Sequence, residues 1–156
     1  MRTRTIFTCS LITGLFLITS CNGLTTAKTT STPDPCSKEV LETVVGDFED
    51  LKNELVDLAA AAEETPVEEL EPIVLQMLNL EEEIAGYEFP LCAAKAQSAL
   101  YSYSFHTEQC YLGQYAEYIN QVSHPEDVAY RCEQAEIFEE TVDLMLQELK
   151  EMIAAK

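Results

Sequence analysis

Leu41, Val44, Phe48, Leu51, Leu55, Leu58 and Ala62 follow one another in steps of 3, 4, 3, 4, 3 and 4 residues. An α-helix turns once every 3.6 residues, so this spacing lines them into one stripe, as the a and d positions of about three heptads. Glu39, Glu42, Glu49, Asp50, Glu54 and Asp57 occupy the remaining faces. A strand has a side-chain period of two and cannot produce such a stripe, so the segment reads as a helix with one face to bury. Asp34 or Ser37 is placed to cap its start, and it is expected to stop near Glu63.

The rest of the chain repeats the pattern. Thr65-Pro66-Val67-Glu68 reads as a capping box with proline in the first turn. It opens a second stripe of Val67, Leu70, Val74, Met77, Leu78 and Ile84. Pro72 interrupts that stripe, predicting either a kink or a short first turn before the main helix. Gly86 to Pro90 ends it. A third helix is expected from about Pro90 to Gln121, with Ala94, Tyr101, Phe105, Leu112, Tyr115 and Ile119 as its core face, widened by Tyr111 and Tyr118. Gly113 is its weak point. Ser123-His124-Pro125-Glu126 reads as another capping box. A fourth stripe follows through Val128, Cys132, Ala135, Phe138, Val142, Met145, Leu149 and Met152. Four amphipathic helices on short links predict an all-α fold, an up-down-up-down four-helix bundle. Residues 36–156 are long enough for one core.

Ahead of the bundle, residues 1–20 read as an export signal. Arg2 and Arg4 precede an apolar run from Ile6 to Ile18, too short to span a bilayer comfortably. The run ends in Ile18-Thr19-Ser20-Cys21. An aliphatic residue, two small residues and then cysteine resemble the lipobox of bacterial lipoprotein precursors. The resemblance covers only the signal and lipobox. It implies cleavage before Cys21, acylation of that cysteine (with palmitate among the possible chains) and a membrane anchor. Asn22, rather than Asp, follows the cysteine, which implies an outer-membrane destination if the source is Gram-negative. The other reading is an ordinary secretory signal cut nearby, for instance after Ala27, which leaves the protein secreted. Residues 21–35, rich in Thr, Ser and Pro, read as a flexible tether.

Export decides what the cysteines do. Cys9 leaves with the signal, and Cys21 is acylated or removed. Cys36, Cys92, Cys110 and Cys132 remain, an even set that outside the cytoplasm argues for two disulfides. Cys92 and Cys110 are 18 residues apart on one expected helix, or about 27 Å, whereas a disulfide needs Cα atoms within about 7 Å. In a hairpin turning near residue 123, Cys132 returns to the level of Cys110. The expected pairs are therefore Cys36–Cys92 and Cys110–Cys132. One tension stays open: Cys92 and Cys110 share a stripe away from the expected core face of helix three, so helices one and four must both approach it. Metal ligation fails on spacing, because no CxxC pair or nearby Cys/His cluster exists.

Acidic residues number 28 and basic residues 9, a net charge of −19. Loss of Arg2 and Arg4 with the signal makes it −21. That excludes the basic footprint of a nucleic-acid binder. The glutamate runs Glu63-Glu64, Glu81-Glu82-Glu83 and Glu139-Glu140 fan around their helices and read as solvated faces, with weak collective attraction for divalent cations or cationic peptides. No cofactor motif is present. His106 and His124 are too far apart to share a metal, and His106 with Glu108 reads as polar surface in preference to an acid–base pair. The functional expectation is a non-enzymatic, membrane-anchored acidic module that engages cationic proteins or peptides. The alternative is a small-ligand carrier or sensor with Met77, Tyr101, Tyr115 and Met145 lining a pocket between helices. Tyr103 falls off the expected core face, beside the Cys92 and Cys110 stripe.

Overall fold

The computed structural model describes residues 34–156. The expected export signal, Cys21 and the expected tether as far as residue 33 lie outside the described residues. The described residues form four α-helices: α1 (Lys38–Glu64), α2 (Glu71–Gly86), α3 (Ala94–Asn120) and α4 (Pro125–Ala154). Short 3-10 turns at Val67–Glu69 and Leu91–Ala93 precede α2 and α3. There are no strands among the described residues. Each helix packs on the next, and α4 returns to α1, which gives the up-down-up-down bundle. None of these helices is long and apolar enough to cross a membrane.

α1 forms as its stripe predicts. Leu41, Val44, Phe48, Leu51, Leu55 and Ala62 are buried, together with Val45. Ser37 caps the helix, its hydroxyl accepting the Val40 N–H at 3.4 Å, and the Asp34 carboxylate accepts the Cys36 N–H at 2.9 Å. Thr65 does not open the next helix. Its hydroxyl donates back to the Ala61 carbonyl at 2.7 Å and its N–H to that of Ala62 at 3.2 Å, closing α1. The expected capping box is absent: the 3-10 turn that follows has Pro66 as its N-cap and no side-chain cap bond. Pro72 produces no kink. It sits in the first turn of α2, where its missing N–H has no helical partner to lose. On α2 the buried residues are Val74, Met77, Leu80 and Ile84; Leu80 takes the place expected for Leu78, which is exposed.

α3 departs most from expectation. Its buried face is Ala96, Ala99, Leu100, Tyr103, Ser104, Thr107, Glu108, Cys110 and Tyr111. Tyr101 and Ile119 are exposed, and Phe105, Leu112 and Tyr115 are half-buried. The cysteine stripe is the inward stripe, and this resolves the tension over helices one and four. Cys92 lies in the turn before α3, and Cys36 lies just before α1; their Cα atoms are 6.2 Å apart and disulfide-bonded. Cys110 and Cys132 are bonded with Cα atoms 4.9 Å apart.

The core has two parts. The larger joins Leu41 to Leu55 of α1 with Leu80, Ile84, Leu100, Tyr103, Val142, Leu146 and Leu149. The smaller holds Ala62, Leu70, Val74, Met77 and Tyr111. Between residues 112 and 141 nothing is fully buried, so the far half of the α3–α4 hairpin is a two-helix arm with no core of its own. Gln121 ends α3 in the left-handed region at φ 54°, a position that usually falls to glycine or asparagine. His124, not Ser123, is the N-cap of α4, and its side chain makes no cap bond. Its backbone N–H donates instead to the Glu117 carboxylate. Pro125 fills the first helical position, and Glu126 and Asp127 place negative charge in the first turn.

Candidate functional site

The four residues expected to line a carrier pocket do not converge. Met77 is fully buried in the smaller core cluster, and Tyr115 packs on that cluster's edge with its hydroxyl donating to Glu71 at 3.0 Å. Met145 packs against the larger cluster. Tyr101 is at the surface, stacked on Phe105. Nor do His106 and Glu108 meet. His106 turns toward α4, its ring lying parallel to Phe138 at 5.2 Å. Phe105 meets it edge-on, and the Arg131 guanidinium covers Phe105 at 5.8 Å. Burial, and then the Arg131 charge, hold the His106 pKa below its ordinary value, so the ring is neutral at pH 7. Glu108 is buried within the bundle. One carboxylate oxygen accepts from Gln109 at 2.7 Å and the other has no partner. Burial raises its pKa, with a smaller contribution from Glu81 of α2 and against the opposing Gln109 bond.

The arrangement with the most chemical content lies between α1, α3 and α4, beside the Cys110–Cys132 disulfide. A cleft of about 130 Å³ opens there. The helical rise sets its α3 wall: Tyr103, Thr107, Cys110 and Tyr111 fall on one face at spacings of three and four. Ala59 and Ala135 supply small apolar walls, while Glu63 of α1 and Glu136 and Glu139 of α4 add carboxylates. The small residues are what leave the space, since larger side chains at those positions would fill it.

Two hydroxyls face this setting. Thr107 is 2 % exposed, and its hydroxyl oxygen has no hydrogen-bond partner. A helical threonine ordinarily bonds back to the carbonyl one turn earlier, as Thr43, Thr65 and Thr141 do here. Tyr103 is 4 % exposed. Burial first, then the negative charges of Glu139, Asp143 and Glu63, push its pKa well up, so it stays protonated. The neighbouring Tyr111 hydroxyl donates to the Ala59 carbonyl at 3.2 Å; burial and Glu63 raise its pKa to about 12.

The same field acts on anything that enters the cleft. Glu63, Glu136 and Glu139 line it, and among the described residues none of them is in an ion pair. The four ion pairs among the described residues join Lys38 to Glu42, Lys52 to Asp143, Lys150 to Glu49 and Lys156 to Asp34. Among the described residues no three metal-ligating side chains converge.

Sequence reasoning passed over this cleft. The usable signal was Tyr103, the one tyrosine on the cysteine stripe, with Thr107 one turn beyond it. No protein family, curated protein or solved structure matches this chain.

Proposed function

We propose that this chain is an exported lipoprotein, anchored through Cys21, whose acidic helical bundle is a non-enzymatic module that engages cationic partners. The observation that carries the reading is the charge: 28 acidic residues against 9 basic ones. A surface of one sign draws in and orients partners of the other. Two disulfides suit a compartment outside the cytoplasm, and the Ile18-Thr19-Ser20-Cys21 sequence supports an anchor there. Nothing in the placement of Met77, Tyr101, Tyr115 and Met145 favours a carrier over this reading.

Two measurements test it. Cells fed an alkyne-tagged fatty acid should label the wild-type chain and not the Cys21→Ser variant. The purified chain should bind oligolysine but not oligoglutamate at about 0.05 M salt, and lose that binding near 0.5 M, where charges are screened within a few ångströms. Equal binding of both polymers, or binding indifferent to salt, would remove the electrostatic basis of the proposal.

A further inference from the structure

The geometry points to the cleft beside Cys110–Cys132 as a receptor for an unbranched primary alkylammonium group, the chemistry shared by a lysine side chain and a free diamine. This deepens the reading of the chain as an acceptor of cations and rests on it. Three observations combine. The cleft carries Glu63, Glu136 and Glu139, none of them in an ion pair with a described lysine. Thr107, almost wholly buried, brings a hydroxyl without a partner to the same space. Ala59, Ala135 and the ring of Tyr111 give the cleft apolar walls.

Size and donor chemistry narrow the guest. At about 130 Å³ the space exceeds what one water occupies, yet falls short of the roughly 300–1,000 Å³ of ordinary small-molecule sites. A bare metal ion would need converging ligands, and among the described residues no three converge. An ammonium head has three N–H donors and no acceptor, which matches a wall of hydroxyl and carboxylate oxygens. It is also a compact point charge, whereas the broad guanidinium fork asks for a flat, bidentate carboxylate. The methylene stem would lie along the alanines and the tyrosine ring, as lysine stems do on apolar surface.

The test uses the oxidised chain carrying Cys21→Ser. Butylammonium is titrated by NMR, with tetramethylammonium as a cation of equal charge that lacks N–H donors. The expected result is butylammonium shifts concentrated at Tyr103, Thr107, Ala135 and Glu139, with tetramethylammonium giving none there. Thr107→Val keeps the shape and removes the hydroxyl, and should weaken butylammonium binding about tenfold. Glu139→Gln, a near-isosteric change at a half-buried position, should do the same.

Lysine-containing peptide and 1,5-diaminopentane form two further arms. Tighter binding of the peptide assigns the site to a protein partner, and tighter binding of the diamine to a free amine; either supports the receptor. Shifts scattered over all the acidic faces, or the same response to both cations, would overturn it. If oligolysine still binds while Thr107→Val and Glu139→Gln change nothing, the cleft is refuted and the cation-binding reading stands. If neither oligolysine nor butylammonium binds, both fall.

Discussion

Glu108 shows what one side chain does to a small core. It is 1 % exposed, it has one oxygen without a partner, and burial raises its pKa above the ordinary 4.5. A raised folded pKa means that the folded state holds the proton more tightly than the unfolded chain does. The stabilisation from that proton is complete below the ordinary carboxylate range and is lost as pH rises through the folded value. Replacing Glu108 with methionine removes the unpaired group while keeping similar bulk. The variant should be more stable at pH 7, by about 1–3 kcal/mol, and the gain should shrink at pH 4. Thermal melts of both proteins at the two pH values check this; a lower melting temperature for Glu108→Met at pH 7 would mean that the carboxylate has a partner it needs.

Gly113 makes the second residue-scale case. A Cβ built there would lie 2.9 Å from a Val128 methyl. Alanine would bring about 1 kcal/mol of helix propensity. Val128 is β-branched and held to one preferred rotamer on its helix, so it cannot swing away cheaply. Gly113→Ala should therefore destabilise by about 1 kcal/mol net, as overpacking does, and Val128→Ala in the same chain should reverse the sign. A double-mutant cycle from urea unfolding measures that coupling.

At the scale of elements, the two disulfides clamp α3 at different levels. Cys36–Cys92 ties the start of α1 to the turn before α3 across 56 residues, and Cys110–Cys132 closes 22 residues at the base of the coreless arm. Loop entropy predicts losses of about 4 and about 3 kcal/mol when each pair is changed to alanine. Hydrogen exchange should separate the two variants. Loss of Cys110–Cys132 should speed exchange first between residues 112 and 131, where nothing is fully buried; uniform acceleration over all four helices would contradict the picture of an independent arm.

The elements also show why some of this was legible in the residues and some was not. α1 was legible because its apolar and charged residues separate cleanly by face. Both disulfides were legible because helix length forbids Cys92–Cys110 and the hairpin brings Cys132 back to the level of Cys110. α3 was misread because its inward face is built from Ala96, Ala99, Ser104 and Thr107 around Leu100 and Tyr103, while Tyr101 and Ile119 lie outside. Hydropathy ranks large aromatics as core, but in this bundle small residues take that face. The same error concealed the cleft, since its α3 wall lies on the misread stripe. The capping residues were misplaced for a related reason: Thr65 and Ser123 fit a start signal locally, but the hydrogen bonds of neighbouring helix ends decide which residue serves as the cap.

For the whole molecule, charge and compartment are the governing quantities. A net charge of −19 opposes compaction through self-repulsion, and two covalent clamps offset that cost without enlarging the core. In the proposed account, export through the N-terminal signal supplies the oxidising surroundings that form the clamps, and Cys21 then holds the bundle at a membrane. Cys21→Ser should move the protein from the membrane fraction to the soluble one on fractionation, with the disulfides and helical content unchanged. Retention in the membrane fraction would show that something other than Cys21 anchors it.

The most direct measurement is intact-mass and peptide mass spectrometry of protein taken from its native cells, after free thiols are blocked with an alkylating reagent. The account predicts a chain beginning at an acylated Cys21, with Cys36 linked to Cys92, Cys110 linked to Cys132, and no alkylated cysteine. A chain that still begins at Met1 and carries alkylated Cys36, Cys92, Cys110 and Cys132 would contradict it.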